Sequence, residues 1–128
     1  MNDNYSLSVI VPFYNEEKFL EESITRLLKI EIVQQIVLVD DCSKDKSYAI
    51  GEKLVKENNN ILITKTDNNL GKGGAVKAGL EQVTSTHVVV HDADLEYFPE
   101  DISEMFEAIS SDQEHLILGS RTIGTKKR

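Results

Sequence analysis

Residues 7–43, LSVIVPFYNEEKFLEESITRLLKIEIVQQIVLVDDCS, decide the fold. Residues 7–11 are apolar and rich in β-branched side chains, and read as a strand. Residues 16–30 carry Leu20, Ile24, Leu27 and Leu28 at helical spacing, one apolar face on a polar background. Residues 36–39 are again short and apolar, a second strand. Strand, helix, strand in immediate succession is the unit of a parallel sheet, because two parallel neighbours need a crossover between them. The pattern continues. Residues 43–57 read as a helix with Ser43 or Asp45 as N-cap, 61–64 as a strand, 72–83 as a helix and 87–90 as a strand. Residues 99–110 read as a helix with Pro99 in its first turn and an apolar stripe of Ile102, Met105, Phe106 and Ile109, and 116–118 as a fifth strand. Pro12 is expected to end the first strand, and the tail TIGTKKR to fray. Strands that are apolar on both faces and separated by helices predict a three-layer α/β/α domain with a mostly parallel sheet. One domain spans residues 1–128.

Composition narrows the classes. The 128 residues hold 14 Lys and Arg against 22 Asp and Glu, a formal net charge of -8. An acidic surface repels phosphate backbones and disfavours nucleic acid as a partner. It leaves room for a small phosphorylated ligand held by a metal. The single cysteine, Cys42, permits no internal disulfide and fits a reducing, cytoplasmic setting. No apolar run approaches the ~20 residues that span a bilayer.

In sheets of this kind ligands bind beyond the carboxyl ends of the strands, where the strand order switches. Polar groups collect after each strand here. The sharpest set is VVVHDADLEY, residues 88–97. Asp92 and Asp94 are two apart, so in an extended segment both carboxylates point one way. They repel unless a cation lies between them. Oxygen ligands of this type suit Mg²⁺ or Mn²⁺, with Glu96 a third ligand. A solvated acidic loop is the plain alternative. In LVDDCS an aspartate can accept from a ribose or a base, or Asp41 and Ser43 can simply cap the next helix. Strand phase, which the pattern leaves open, decides whether Asp40 or Asp41 faces a ligand. In NNLGKGGAVKAGL, Gly71, Gly73 and Gly74 allow close backbone approach, the helix start favours anions, and Lys72 adds charge. A glycine-rich turn that lets a helix sit close to the sheet explains the same residues. Tyr14 offers a ring and a hydroxyl. Arg121, after the fifth strand, could bind phosphate. His91 reads as structural, and Cys42 as a small packing residue.

Taken together and in order, LSVIVPFYNEE, VLVDDCSKDKS, NNLGKGGAVKAGL, HDADLEYFPED and LILGSR resemble the family 2 inverting glycosyltransferases of GT-A fold, nearest to the polyprenyl- and dolichyl-phosphate sugar transferases. The resemblance runs from about residue 7 to residue 121. It implies transfer of a hexose from a UDP- or GDP-sugar to a lipid phosphate, with a divalent metal. It implies that Pro12, Tyr14 and Glu16 hold base and ribose, that Asp41 contacts the base, and that Asp67, Gly71, Lys72 and Gly73 line the nucleotide-sugar pocket. Asp92, Asp94 and Glu96 match the metal site, and Arg121 an arginine that approaches the acceptor phosphate. Relatives of this kind continue past Gly-Ser-Arg, so the acceptor side is expected to be missing here and the open side of the sheet to favour self-association. A non-catalytic nucleotide-sugar-binding or interaction module on the same fold stays open as the alternative. A receiver domain fits poorly, since Asp67 lies late after its strand and no Lys directly follows the fifth. Placement peripheral to the cytoplasmic face of a membrane would follow from a lipid acceptor.

Overall fold

A computed structural model of the chain describes residues 6–91, 93, 115–118 and 121–125, the last two segments by their backbone. The elements run β1 (Leu7–Phe13), α1 (Leu20–Leu28), β2 (Val33–Asp40), α2 (Ser47–Glu57), β3 (Ile61–Lys65), α3 (Gly71–Leu80), β4 (His87–Val90), β5 (His115–Leu118) and β6 (Arg121–Thr125). They make one six-stranded sheet of order β3-β2-β1-β4-β5-β6. β1 pairs in parallel with β2 and β4, β2 with β3, and β4 with β5, while β6 returns antiparallel to β5. This is the mostly parallel sheet the alternation predicts. The helix expected over 99–110 lies outside the described residues.

The two-residue period of the strands sorts the chain into two cores. On one face Val9, Val11 and Phe13 of β1 meet Ile36 and Leu38 of β2, Leu20, Ile24 and Leu27 of α1 and Leu54 of α2. On the other, Ile10, Val37 and Val39 meet Ala75 of α3 and Val90 of β4. A strand buried on both faces needs an unbroken apolar run, which is why residues 36–39 show no alternation. The helical face read from α1 is the one that is buried, with Leu28 only partly covered. No helix among the described residues is long and apolar enough to cross a membrane.

Five boundaries differ from expectation. Pro12 does not end β1. It pairs with Val39 inside the strand, which runs on to Phe13. The last amide that β4 offers β1 goes from His91 to the Ile10 carbonyl at 2.9 Å. The Pro12 nitrogen lies past that ladder, where a missing donor costs nothing. β2 begins at Val33, because its polar stretch is stitched down. The Gln35 side-chain oxygen accepts from the Ser8 hydroxyl at 2.6 Å and the Thr84 amide at 3.2 Å. α1 and α2 start later than expected, since residues 15–17 and 43–46 are tied to each other. The tail is not frayed over its first part. Residues 121–125, rich in β-branched Thr and Ile, form β6.

The fit of α3 onto the sheet depends on Gly79. A Cβ there would lie 2.8 Å from Ile10 Cγ2 and 2.9 Å from Val39 Cγ2. Both neighbours are β-branched, rigid and buried, so neither can move aside. Gly79→Ala is therefore expected to destabilise the fold by roughly 1–3 kcal/mol, a fall in Tm of several degrees by thermal melt.

Candidate functional site

The strand order places the switch between β1 and β4, and the polar segments that follow β1, β2 and β3 gather at that carboxyl edge. The loop after β1 and the loop after β2 are laced together. The Asn15 amide donates to Ser43 Oγ at 2.9 Å, and the Lys44 amide to Asn15 Oδ1 at 2.8 Å. The Glu16 amide donates to Ser47 Oγ at 2.8 Å, and the Lys46 amide to Glu17 Oε1 at 2.9 Å. Asn15 adopts φ 55, a left-handed conformation that asparagine tolerates. Cys42 adopts φ 69, where a Cβ costs about 1–2 kcal/mol, and its Sγ lies 3.8 Å from the Asp67 carbonyl. The hydrogen bonds around it hold the strained turn.

Neither Ser43 nor Asp41 caps α2. Ser43 Oγ is taken by Asn15, and the N-cap position is Lys46, without a side-chain cap. Asp45 comes closest, accepting the Ser47 amide at 2.9 Å. Strand phase separates the two adjacent aspartates. Asp40 follows Ile36 and Leu38 onto the α1–α2 face, where its Oδ1 accepts the Ser43 amide at 2.7 Å. Asp41 turns the other way. Its Oδ1 accepts from the Thr66 hydroxyl at 2.8 Å and the Leu70 amide at 2.9 Å, and its Oδ2 from the Gly71 amide at 2.8 Å. α3 has no side-chain cap of its own, since Leu70 stands at its N-cap. Asp41 supplies that cap from a different strand, and its charge suits the helix N-terminus.

Above Asp41 lies a cleft of about 230 Å³. Pro12, Phe13 and Tyr14 form one wall, Asp41 the floor, and Asn69, Gly71, Lys72 and Ala75 the other wall. Tyr14 is 41% exposed, open to a flat ligand. So Pro12, Tyr14, Asp41, Gly71 and Lys72 of the expected site residues come together. Phe13, Asn69 and Ala75 join them without having been singled out. Ala75 was legible as the residue one helical turn after Gly71, on the inward face of α3. Glu16 instead lines a separate hollow of about 480 Å³ with Glu17, Lys18 and Asp45. Asp67 and Gly73 are exposed and stand outside the cleft wall. Gly71 has φ 80, a glycine conformation, whereas a Cβ at Gly73 would meet nothing within 4 Å.

Asp92, Asp94 and Glu96 lie outside the described residues, as does the side chain of Arg121. Among the described residues no group of three His, Cys, Asp or Glu could hold a metal. His91 is buried, and its amide donates to the Ile10 carbonyl, so the described chain leaves β4 beside β1 at the same carboxyl edge. Three carboxylates following that point are a donor set that fits a hard divalent cation. The register Val90 to Leu118 to Arg121 sets the backbone of Arg121 at the same edge, opening β6 rather than closing β5.

Asp45 fastens the outer side of this edge. Burial acts to raise its pKa, but the Ser47 hydroxyl, the Ser47 amide and the Glu17 amide together outweigh it and hold the carboxyl below its ordinary value. A carboxylate depressed in the folded state adds stability above its unfolded pKa, near 4, and that stability is lost as pH falls through the folded value. Asp45→Ala is thus expected to lower Tm at pH 7. The difference from the parent should shrink as melts are taken from pH 5 down to pH 3.

Comparison with known proteins gives consistent results. The profile described as Glycosyl transferase family 2 matches residues 8–128. An undecaprenyl-phosphate 4-deoxy-4-formamido-L-arabinose transferase of Proteus mirabilis is 32% identical over 127 residues, 95% of this chain and 37% of its own length. A UDP-N-acetylglucosamine–dolichyl-phosphate N-acetylglucosaminyltransferase of Methanococcus voltae is 31% identical over 134 residues, 93% of this chain and 53% of its own. The chain thus spans about a third to a half of these relatives. The mannosyltransferase PcManGT of Pyrobaculum calidifontis, solved with GDP-Man and Mn²⁺, superposes with TM-score 0.75 at 21% identity over 84% of this chain and 33% of that one, a likeness of fold.

Proposed function

The chain belongs to glycosyl transferase family 2, and from that premise we propose that it is the donor-binding part of an inverting transferase that moves a hexose from a UDP- or GDP-sugar to a polyprenyl or dolichyl phosphate. The observation that carries this reading is the cleft at the strand-order switch, with an exposed ring, a buried carboxylate and a lysine at a helix start around one space. The names of the relatives from Proteus and Methanococcus support a lipid-phosphate acceptor.

Each group has a task. Tyr14 stacks on the base, and Pro12 and Phe13 close that wall. Asp41 offers its remaining acceptor capacity to the nucleoside. Lys72 and the start of α3 attract the diphosphate. Asp92 and Asp94, with Glu96 beside them, would hold Mg²⁺ or Mn²⁺. When bound, such a cation neutralises the charge that builds on the leaving nucleotide diphosphate. Arg121 draws the acceptor phosphate to the same edge. A phosphate acceptor is already ionised near neutral pH, so its oxygen needs no strong general base to attack the anomeric carbon. A lipid acceptor would bring the protein to a membrane surface as a peripheral protein, on the cytoplasmic side. A module that binds donor without turnover is the second reading.

Calorimetric titration with UDP, GDP, UDP-glucose and GDP-mannose, with and without Mn²⁺, tests the proposal. Metal-dependent binding of one nucleotide class is expected, and its loss in the Asp92→Ala/Asp94→Ala double variant. No binding to a chain that melts cooperatively would overturn it. Release of nucleotide diphosphate in the presence of a polyprenyl phosphate separates turnover from binding alone.

Gly73 provides an independent check. Nothing inside the protein occupies the space beside it. Gly73→Ala should raise stability by roughly 0.5–1 kcal/mol, as Gly to Ala does in a helix. If ligand approaches that backbone, the same change weakens nucleotide binding, so Tm and affinity move in opposite directions.

A further inference from the structure

The hydrogen bonds already made by Asp41 limit which base the cleft can read. This rests on the cleft being the nucleotide site. A carboxylate has about four lone-pair positions. On Oδ1 the Thr66 hydroxyl at 2.8 Å and the Leu70 amide at 2.9 Å occupy both. On Oδ2 the Gly71 amide at 2.8 Å occupies one. The Thr66 hydroxyl also lies 2.6 Å from the Asn68 carbonyl. Whichever oxygen takes its proton, the Thr66 oxygen fills the position beside Oδ1 that a ligand donor would need. Asp41 is 4% exposed, so the floor of the cleft presents a single acceptor position, on Oδ2.

We propose that this occupancy makes the cleft select uracil over guanine, with Thr66 as the residue that sets the preference. Charge orients the donor: the anionic floor at Asp41 repels a diphosphate, and Lys72 on the wall attracts it, so the base is the part that meets Asp41. Uracil brings one N–H, at N3, flanked by two carbonyls. Guanine brings N1–H and the N2 amino group side by side, a pair that a carboxylate satisfies through both oxygens. Against Asp41 one of guanine's donors loses water and finds no acceptor, which weakens binding by roughly tenfold or more. Cytosine fails differently, since its N3 is itself an acceptor and would face the carboxylate lone pair to lone pair.

Changing the ligand tests this without disturbing a carboxylate that also supports the fold. The 128-residue chain is titrated with UDP, GDP, CDP and 3-methyl-UDP, each with Mn²⁺. UDP is expected to bind best, and the other three to bind roughly tenfold or more weakly. Equal binding of UDP and 3-methyl-UDP, or GDP as tight as UDP, overturns the selection while the nucleotide site stands. Failure of all four to bind a cooperatively melting chain overturns the site itself. Thr66→Ala removes the atom beside Oδ1, opens that position to a ligand and should narrow the gap between UDP and GDP. An unchanged gap in a Thr66→Ala chain of normal melting behaviour removes Thr66 from the account.

Discussion

Three chain segments meet at the Asp41 carboxylate: the end of β2, Thr66 after β3, and the first amides of α3. The amides at a helix start have no partner within the helix, and α3 brings no capping side chain of its own. Without Asp41, the Leu70 and Gly71 amides would lose the acceptor they share at the edge of the cleft, and the Thr66 hydroxyl would be left with the Asn68 carbonyl. With it, the direction of α3 is fixed relative to the strand it crosses. The walls of the cleft stand on that direction, since Pro12 and Tyr14 belong to the sheet side and Gly71 and Lys72 to the helix side. One buried charge therefore sets both the helix orientation and the width of the site.

The rest of the carboxyl edge is held in a similar way, by side chains of one loop satisfying the backbone of another. Asn15, Ser43, Asp45 and Ser47 exchange hydrogen bonds across the α1 and α2 starts. The opposite edge is closed by Ser8, Gln35 and Ser85. Between them the strands contribute mostly apolar contacts that do not discriminate one register from another. Polar stitching at both ends is what ties a strand end to a particular loop position. The strain stored at Cys42 is affordable because its neighbours are restrained in this way.

The mostly parallel sheet, the order of strands and helices from β1 to β4, and the apolar face of α1 were legible in the sequence, because period and β-branched content report burial directly. The boundaries that were misread share one cause, contacts between residues far apart in the chain. Pro12 reads as a strand end until the reach of β4 is known. Residues 43–46 read as helix until Asn15 and Glu17 claim them. Strand phase, which decides between Asp40 and Asp41, depends on where β2 meets the sheet, and a fully buried strand shows no alternation from which to read it. The cleft was legible in outline, as residues after strands. Phe13 and Asn69 carry no chemical signal of their own, and their membership follows only from the packing of α3. The acidic residues after β4 rest on spacing and family, and lie outside the described residues.

The glycines of NNLGKGGAVKAGL show how far such a motif divides its labour. Read as a string, they admit two explanations, a tight turn for packing or close approach of a ligand. The geometry assigns these to different residues. Gly79 is required by Ile10 and Val39, and a Cβ at Gly74 would strike Leu70 at 2.5 Å. Gly71 is required by its backbone angle. Those three follow from the fold, and each would be needed if the protein bound nothing. Gly73 is different, because neither sterics nor φ asks for it. In a helix, glycine without a structural reason is a standing loss of roughly 0.5–1 kcal/mol relative to alanine. At Gly73 a methyl group would meet nothing inside the protein, so the change to alanine alters only the outer surface of the helix start.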